Sequence, residues 1–330
     1  MNLTARHPRT GELLSTVTFM VRTLAAADNL HRCPRCRDPA ARRVRMAPSM
    51  EEAPMHASEG VRAVAVARSV AASLGLPAEE AAVLHDSNKL TLRLLPADTL
   101  ARVAPADDQI AEFEVGLARQ LTEAGCPVGA LDPRVEPRGY ERDGFVVTLW
   151  RYYEPAAGEV TPAAFAAALA RLHAGMRELD VPAPRYTERV ERAQRLLADH
   201  ARTPGLAPAD RALLQETLRS TAEWIAARGA PEQLLHGEPH PGNVLATAQG
   251  PLFIDWETCC RGPAEFDLAH APEEVGARYP GVDAELLRRC RLLVLAVVTV
   301  WRWDREDLFP DGRRMGEEWL ARIRAAAGRD

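Results

Sequence analysis

Residues 233–262 constrain this 330-residue chain more than any other stretch. They lie between segments of helical periodicity but do not read as helix, because two apolar runs, 234–245 and 252–257, flank a glycine-bearing turn. If the runs pair as short strands, Glu238, Asn243 and Asp255 come together on neighbouring loops. Three oxygen-bearing side chains so placed suit a hard cation such as Mg²⁺, which prefers oxygen ligands and keeps substrate phosphates in its shell. A carboxylate five residues ahead of an asparagine also has a specific use in phosphoryl transfer. The acid takes the proton of the attacking hydroxyl, the asparagine binds one metal, and a separate aspartate binds both.

Composition narrows the remaining classes. There are 41 Lys+Arg against 46 Asp+Glu, a formal net charge of −5, which argues against a general nucleic-acid binder because such proteins carry a basic excess. The length suits about two packed units at roughly 150 residues each, and 47% hydrophobic residues can build their cores. The longest strongly apolar run, 292–301, is about half of the ~20 residues a membrane span needs. No charged, apolar, small-residue order marks a signal peptide, so the expected location is the cytoplasm, away from membranes. Six scattered cysteines are too few for a disulfide framework, and reduced thiols are expected. Lys89 is the only lysine, so any mechanism requiring one must use it.

Three regions follow. Residues 1–57 read as an appendage, disordered or helical: Leu13, Val17, Met20 and Leu24 fall at helical spacing, and a basic patch holds Arg32, Arg35, Arg37, Arg42, Arg43 and Arg45. HRCPRC at 31–36 is half of a zinc site with no second half, so the segment is a metal knuckle, a solvated basic tail, or sequence ahead of a true start at Met46, Met50 or Met55. Residues 58–150 form a strand-rich lobe: a helix over 59–74 stopped by Gly75, a hairpin of 89–94 and 99–103 about a turn at 96–98, a helix over 108–123, and a strand at 145–150. Residues 151–330 are helical, with Thr161 as N-cap of a helix lined by Phe165, Leu169, Leu172 and Met176, and further helices at about 186–201, 208–229 and 283–303.

HGEPHPGNVL at 236–245 followed by FIDWE at 253–257 resembles the catalytic and metal-binding loops of the aminoglycoside phosphotransferase and choline kinase family, whose fold is protein-kinase-like. ARLHA at 170–174 is similar to the family's Leu-His helix, and GPAEFDLA at 262–269 resembles its Gly-x-x-x-x-Asp-Leu-Ala stretch. The resemblance implies an α+β, two-lobe fold with a small strand-rich N-lobe and a larger helical C-lobe. It further implies transfer of the γ-phosphate of ATP, or GTP, to a hydroxyl of a small molecule with Mg²⁺. Under it Glu238 is the catalytic base, Asn243 and Asp255 hold metal, His236 packs and orients the loop, and Asp267 braces the loop backbone. Ser87 and Asn88, in the HDSN turn, cover phosphate without the glycines of a protein-kinase loop. Arg102 takes the place of the third-strand cation, paired with Glu114 and, second, Glu112, while Leu149, Trp150 and Arg151 present the hinge to the nucleotide base.

Glu238 departs from the pattern, which has aspartate there. One extra methylene leaves a base accommodated by a shifted backbone, a slow enzyme, or a nucleotide-binding pseudokinase that no longer transfers, and misplacing a catalytic group by ~1 Å costs on the order of a hundredfold. A protein-directed kinase fits less well, since no Ala-Pro-Glu counterpart follows FIDWE. His173, beside an apolar stripe, reads as a packing residue, and adjacent Cys259 and Cys260 as buried small side chains. His240, Glu257, Glu273, Trp301 and Asp304 are candidates for the acceptor site, although Arg302 and Arg305 interleaved with the C-terminal acids also describe a solvated face.

Overall fold

Strands in the first third of the chain owe their place to alternation, and helices in the rest to a 3.6-residue repeat. The structure, a computed structural model, describes residues 57–87, 89–106, 110–309 and 311–327, and the backbone alone at 2–6 and 13–18. It divides into two compact units, one built on 57–115 and 131–152 with the N-terminal strands, the other on 116–130 and 153–327. The expected lobe boundary near 150 is amended by the excursion of 116–130 into the second unit. Its reason is main-chain pairing: Phe253 N–H donates to Pro127 O at 2.9 Å and Gly129 N–H donates to Phe253 O at 2.9 Å.

In the first unit, β1 (Asn2–Arg6) and β2 (Leu13–Thr18) pair antiparallel. The helix expected through Leu13 and Val17 is thus corrected to strand over 13–18; residues four apart share a face in a strand as well as in a helix. Met20, Leu24, the basic patch, the HRCPRC motif and the alternative starts lie outside the described residues. Next comes α1 (Ala57–Ser73), whose Ala63, Val66, Ala67, Val70 and Ala71 are buried at helical spacing. Gly75, at φ 77°, ends it: Leu76 N–H donates to Ala71 O at 2.9 Å and Gly75 N–H to Ala72 O at 3.1 Å, the paired bonds of a left-handed glycine cap.

Five antiparallel strands follow in the order β3-β4-β5-β7-β6: β3 (Ala78–Asp86), β4 (Leu90–Pro96), β5 (Thr99–Pro105), β6 (Tyr140–Arg142) and β7 (Phe145–Arg151). Leu90, Leu92 and Leu94 are buried while Thr91 and Arg93 are only half-buried, so one face of the sheet joins α1 in a core with Ala101, Val103, Phe145, Val147 and Leu149. Between β5 and β6 runs α2 (Ile110–Glu123), counted to Val115 with the first unit.

The second unit carries α3 (Pro162–Arg177), α4 (Tyr186–Ala198) and α5 (Pro208–Arg228), then a short-stranded segment, then α6 (Ala264–His270), α7 (Glu273–Gly276), α8 (Ala284–Trp301) and α9 (Gly312–Ala327). Thr161 Oγ1 accepts from Ala164 N–H at 3.2 Å and caps α3; Asp283 Oδ1 accepts from Glu285 and Leu286 N–H and caps α8. The buried stripe of α8, with Leu286, Cys290, Leu293, Val297 and Val300, packs against α4, α5, α6 and α9. No helix among the described residues is long and apolar enough to cross a membrane. In the short-stranded segment β8 (Gln233–Leu235) pairs with β11 (Cys260–Gly262), and β9 (Val244–Thr247) with β10 (Gly250–Phe253). These two ladders leave loops 236–243 and 254–259 face to face.

Candidate active site

The loop 236–243 has almost no freedom, and the reasons are local. Asp267, on α6 and fully buried, receives three donors: His236 N–H at 2.9 Å, Gly237 N–H at 2.8 Å and His173 Nε2 at 2.9 Å. His173 in turn meets Tyr279 Oη at 2.7 Å, and burial pushes that phenol up to about 12, so it keeps its proton. Gly237 stands at φ 90°, and a Cβ there would lie 1.8 Å from the Thr258 carbonyl oxygen, so glycine alone fits. His236, between Phe253 and Trp256, donates from Nε2 to Ile254 O at 2.9 Å and accepts Glu238 N–H on Nδ1 at 3.4 Å. Burial holds its pKa below the ordinary value, consistent with a neutral ring that uses both nitrogens to fasten one loop to the other.

Glu238 and Asn243 are fixed by the same loop. The Glu238 carbonyl accepts from His240 N–H at 2.8 Å and Asn243 Nδ2 at 3.0 Å. With its amide nitrogen used, Asn243 keeps Oδ1, the kind of oxygen a hard cation accepts as ligand. Its carbonyl accepts Ile254 N–H at 3.1 Å, which ties it beside Asp255. Asp255 has φ 71°, a left-handed conformation that costs energy outside glycine and concentrates at functional sites. Oxygens of Asp255 and Glu257 lie within 4.8 Å of each other. An amide oxygen and two carboxylates form a donor set that fits a divalent oxygen-seeking cation.

Arg189, three residues into α4, reaches this loop as well: NH1 donates to Gly237 O at 2.9 Å and NH2 lies 3.4 Å from Glu238 Oε2. Nothing in the sequence marks it among Arg185, Arg192 and Arg195 of the same stretch. In the first unit Glu114 is buried and takes two cations, Arg102 NH1 on Oε1 at 2.8 Å and Lys89 Nζ on Oε2 at 3.0 Å. The pairing expected for Arg102 alone is therefore shared with Lys89, whose rarity was the available signal. Glu112, the second candidate, accepts Gly139 N–H at 2.8 Å.

The family model for the phosphotransferase enzyme family matches residues 83–309. The chain belongs to that family. No curated protein matches the sequence. Among solved structures it is similar to a choline/ethanolamine kinase family protein from Mesorhizobium loti, at 18% identity and TM-score 0.58, covering 80% of this chain and 93% of that one. Amicoumacin kinase hAmiN, in complex with AMP-PNP, Ca²⁺ and its ligand, gives 15% identity and TM-score 0.56 over 82% and 96% of the two chains. The GDP complex of aminoglycoside 2'-phosphotransferase-IIIa gives 15% and 0.59 over 78% and 97%. The fold of this phosphotransferase is accordingly kinase-like and α+β, with a strand-rich first unit and a helical second.

The other candidate residues fall as follows. Ser87 lies in the β3–β4 connection, its N–H donating to Lys89 O at 3.2 Å; Asn88 lies outside the described residues. Leu149 and Trp150 are buried in β7, and their carbonyls accept Asp132 N–H at 3.1 Å and Thr99 Oγ1 at 3.1 Å, so pairing ends at Arg151, opposite Thr99. His240 folds over Gly242, accepting its N–H on Nδ1 at 2.9 Å, and burial lowers its pKa. Glu273 is exposed at the start of α7. Asp304 binds Arg202 Nε at 2.9 Å, beyond the C-terminal end of α4, whereas Arg189 at the other end touches Glu238. Nine helical residues separate those ends, on the order of 15 Å. Trp301, at the end of α8, accepts Asp304 N–H on its carbonyl at 3.1 Å. Cys259 and Cys260 are buried, and burial raises both thiols far above their usual range, so they are inert packing groups.

Proposed function

We propose that this small-molecule phosphotransferase moves the γ-phosphate of ATP to a hydroxyl of its substrate with Mg²⁺ as the divalent ion, as small-molecule kinases do (EC 2.7.1-like). The observation that carries the reading is the braced loop, in which Asp267 holds the backbone at His236 and Gly237 while Glu238 and Asn243 are bonded to one another beside Asp255. Such rigidity is what phosphoryl transfer requires, because the protein contributes positioning and electrostatics rather than covalent chemistry.

In this reading Glu238 accepts the proton of the attacking hydroxyl. Asn243 Oδ1 and Asp255, with Glu257 beside them, hold the cation, which when bound neutralises charge on the phosphates. Arg102 and Lys89, ordered by Glu114, bind phosphate oxygens, and the backbone following β7 at Arg151 meets the nucleotide base. AMP-PNP with Ca²⁺ on one relative and GDP on another support a nucleotide and a divalent cation, with GTP as the alternative donor. The net charge of −5 supports a protein that does not bind nucleic acid in general. The second reading, a nucleotide-binding module that does not transfer, is favoured by Glu238 in the aspartate position.

Asp255→Ala tests the proposal. Transfer of labelled phosphate from ATP to a panel of aminoglycosides, sugars and amino alcohols is expected from the wild type and to fall by about a hundred- to a thousandfold in the variant, on the scale of removing one preorganised charge-stabilising group. Undiminished turnover in a well-folded variant sinks the metal assignment, and binding of nucleotide without transfer in the wild type selects the second reading.

A further inference from the structure

Glutamate brings a particular difficulty to the position of a base. Its carboxylate swings on one more rotatable bond than that of aspartate, and a rigid loop backbone does not by itself fix the reacting oxygen. The second unit supplies a restraint from outside the loop. Arg189 is anchored through NH1 on the Gly237 carbonyl at 2.9 Å, and Gly237 is the most constrained residue of the loop, bonded to Asp267 and closed against Thr258. Its other terminal nitrogen is directed at Glu238 Oε2 at 3.4 Å, with only 11% and 7% of the two side chains exposed.

We propose that Arg189 is a positioning residue for Glu238, holding Oε2 and leaving Oε1 as the atom that takes the proton of the acceptor hydroxyl. The proposal rests on the reading of Glu238 as base. Three features carry it. Among the described residues Glu238 is the only carboxylate in ion-pair reach of Arg189, and no described residue donates a hydrogen bond to Oε1. The contact, at 3.4 Å, engages Oε2 alone rather than both carboxylate oxygens, so it leaves Oε1 available. His270, at the end of α6, is fully buried with Nε2 unpartnered, and burial with the neighbouring Arg189 charge keeps its pKa well below the ordinary value. A neutral imidazole there adds no second cation beside Arg189. A planar fork anchored at one tine suits this task better than an ammonium, a compact charge on a flexible stem whose donors have no fixed spacing.

A double-mutant cycle tests the proposal, using Arg189→Met, Arg189→Lys, Glu238→Asp and Arg189→Met/Glu238→Asp in the full chain, with thermal melts confirming that each folds. In the wild-type background Arg189→Met is expected to lower kcat on the order of 10- to 100-fold, the cost of a base displaced by ~1 Å, with KM for ATP changed less than about twofold. Arg189→Lys recovers part of that loss. In the Glu238→Asp background the shorter carboxylate stops short of the guanidinium, and removing Arg189 costs less than about threefold more. An equal loss in both backgrounds overturns the proposal, as does a rise in KM for ATP at unchanged kcat. A wild type that transfers to no acceptor contradicts the phosphotransferase reading, not this one. Crystal structures of wild type and Arg189→Met then decide: a Glu238 carboxylate displaced by more than ~1 Å supports the positioning role, and an unmoved one overturns it.

Discussion

Gly237 and Gly229 show how differently two left-handed glycines are used. Both have positive φ, 90° and 63°, but a Cβ at Gly229 meets nothing within 4 Å whereas one at Gly237 would meet the Thr258 carbonyl at 1.8 Å. Gly229→Ala is therefore expected to cost only the left-handed backbone penalty, about 1–2 kcal/mol by denaturant melt, with turnover unchanged. Gly237→Ala forces the two loops apart and is expected to lower kcat by on the order of a hundredfold or more. Equal effects from the two substitutions would mean that the loop contact does not matter. At this scale the sequence was most informative where the chemistry demands a residue type. Glu238, Asn243, Asp255 and Asp267 could be picked out by spacing and resemblance. Arg189 could not, since an arginine on a helix rich in arginines is the ordinary composition of a solvated face.

At the scale of elements, the connection between α2 and β6 is held by Asp132, which receives Thr99 Oγ1 at 2.6 Å and both the main chain and the guanidinium of Arg134. Burial alone would raise its pKa, but these hydrogen bonds outweigh that and bring it down to about 2. A depressed folded value means that the charged carboxylate stabilises the fold above its unfolded pKa near 4, and that the contribution disappears as pH falls through about 2. Denaturation midpoints of wild type and Asp132→Asn should thus differ at pH 7 and converge over that acid window; a gap independent of pH would remove the ionic explanation. Elements with a strong repeat were legible beforehand, as in α3 with its Thr161 cap and the β4–β5 hairpin. Two were not. Strand β3 is written in alanine and glutamate, AEEAAVLHD, residues that favour helix, and it becomes a strand by pairing with the leucines of β4. Helix α9 carries Trp319, Leu320 and Ile323 on one face among many charges, a narrow stripe that acquires meaning only from α5 and α8 beneath it.

For the whole molecule, the proposed nucleotide site, with Asn243 and Asp255 as its proposed cation ligands, predicts linked binding. A ligand at a hundred times its dissociation constant adds about 2.7 kcal/mol of stability. A clear rise in melting temperature is expected with ATP and Mg²⁺ together and little with either alone; equal shifts with and without the cation would argue against the metal ligands. Architecture and family were legible because the loops 236–243 and 254–259 carry their residue types at fixed spacing, while the boundary of the units was not, because Pro127 and Gly129 join Phe253 through main-chain bonds that no side chain announces. The burial of Lys89, 5% exposed and bonded to Glu114, has one more consequence. Since it is the only lysine, the folded chain displays no ε-amine to acylating reagents or to enzymes that conjugate lysines. Its basic side chains other than histidine are guanidinium groups everywhere else, and the extent of labelling at the Lys89 ε-amine counts the molecules in which the start of β4 has come away from α2.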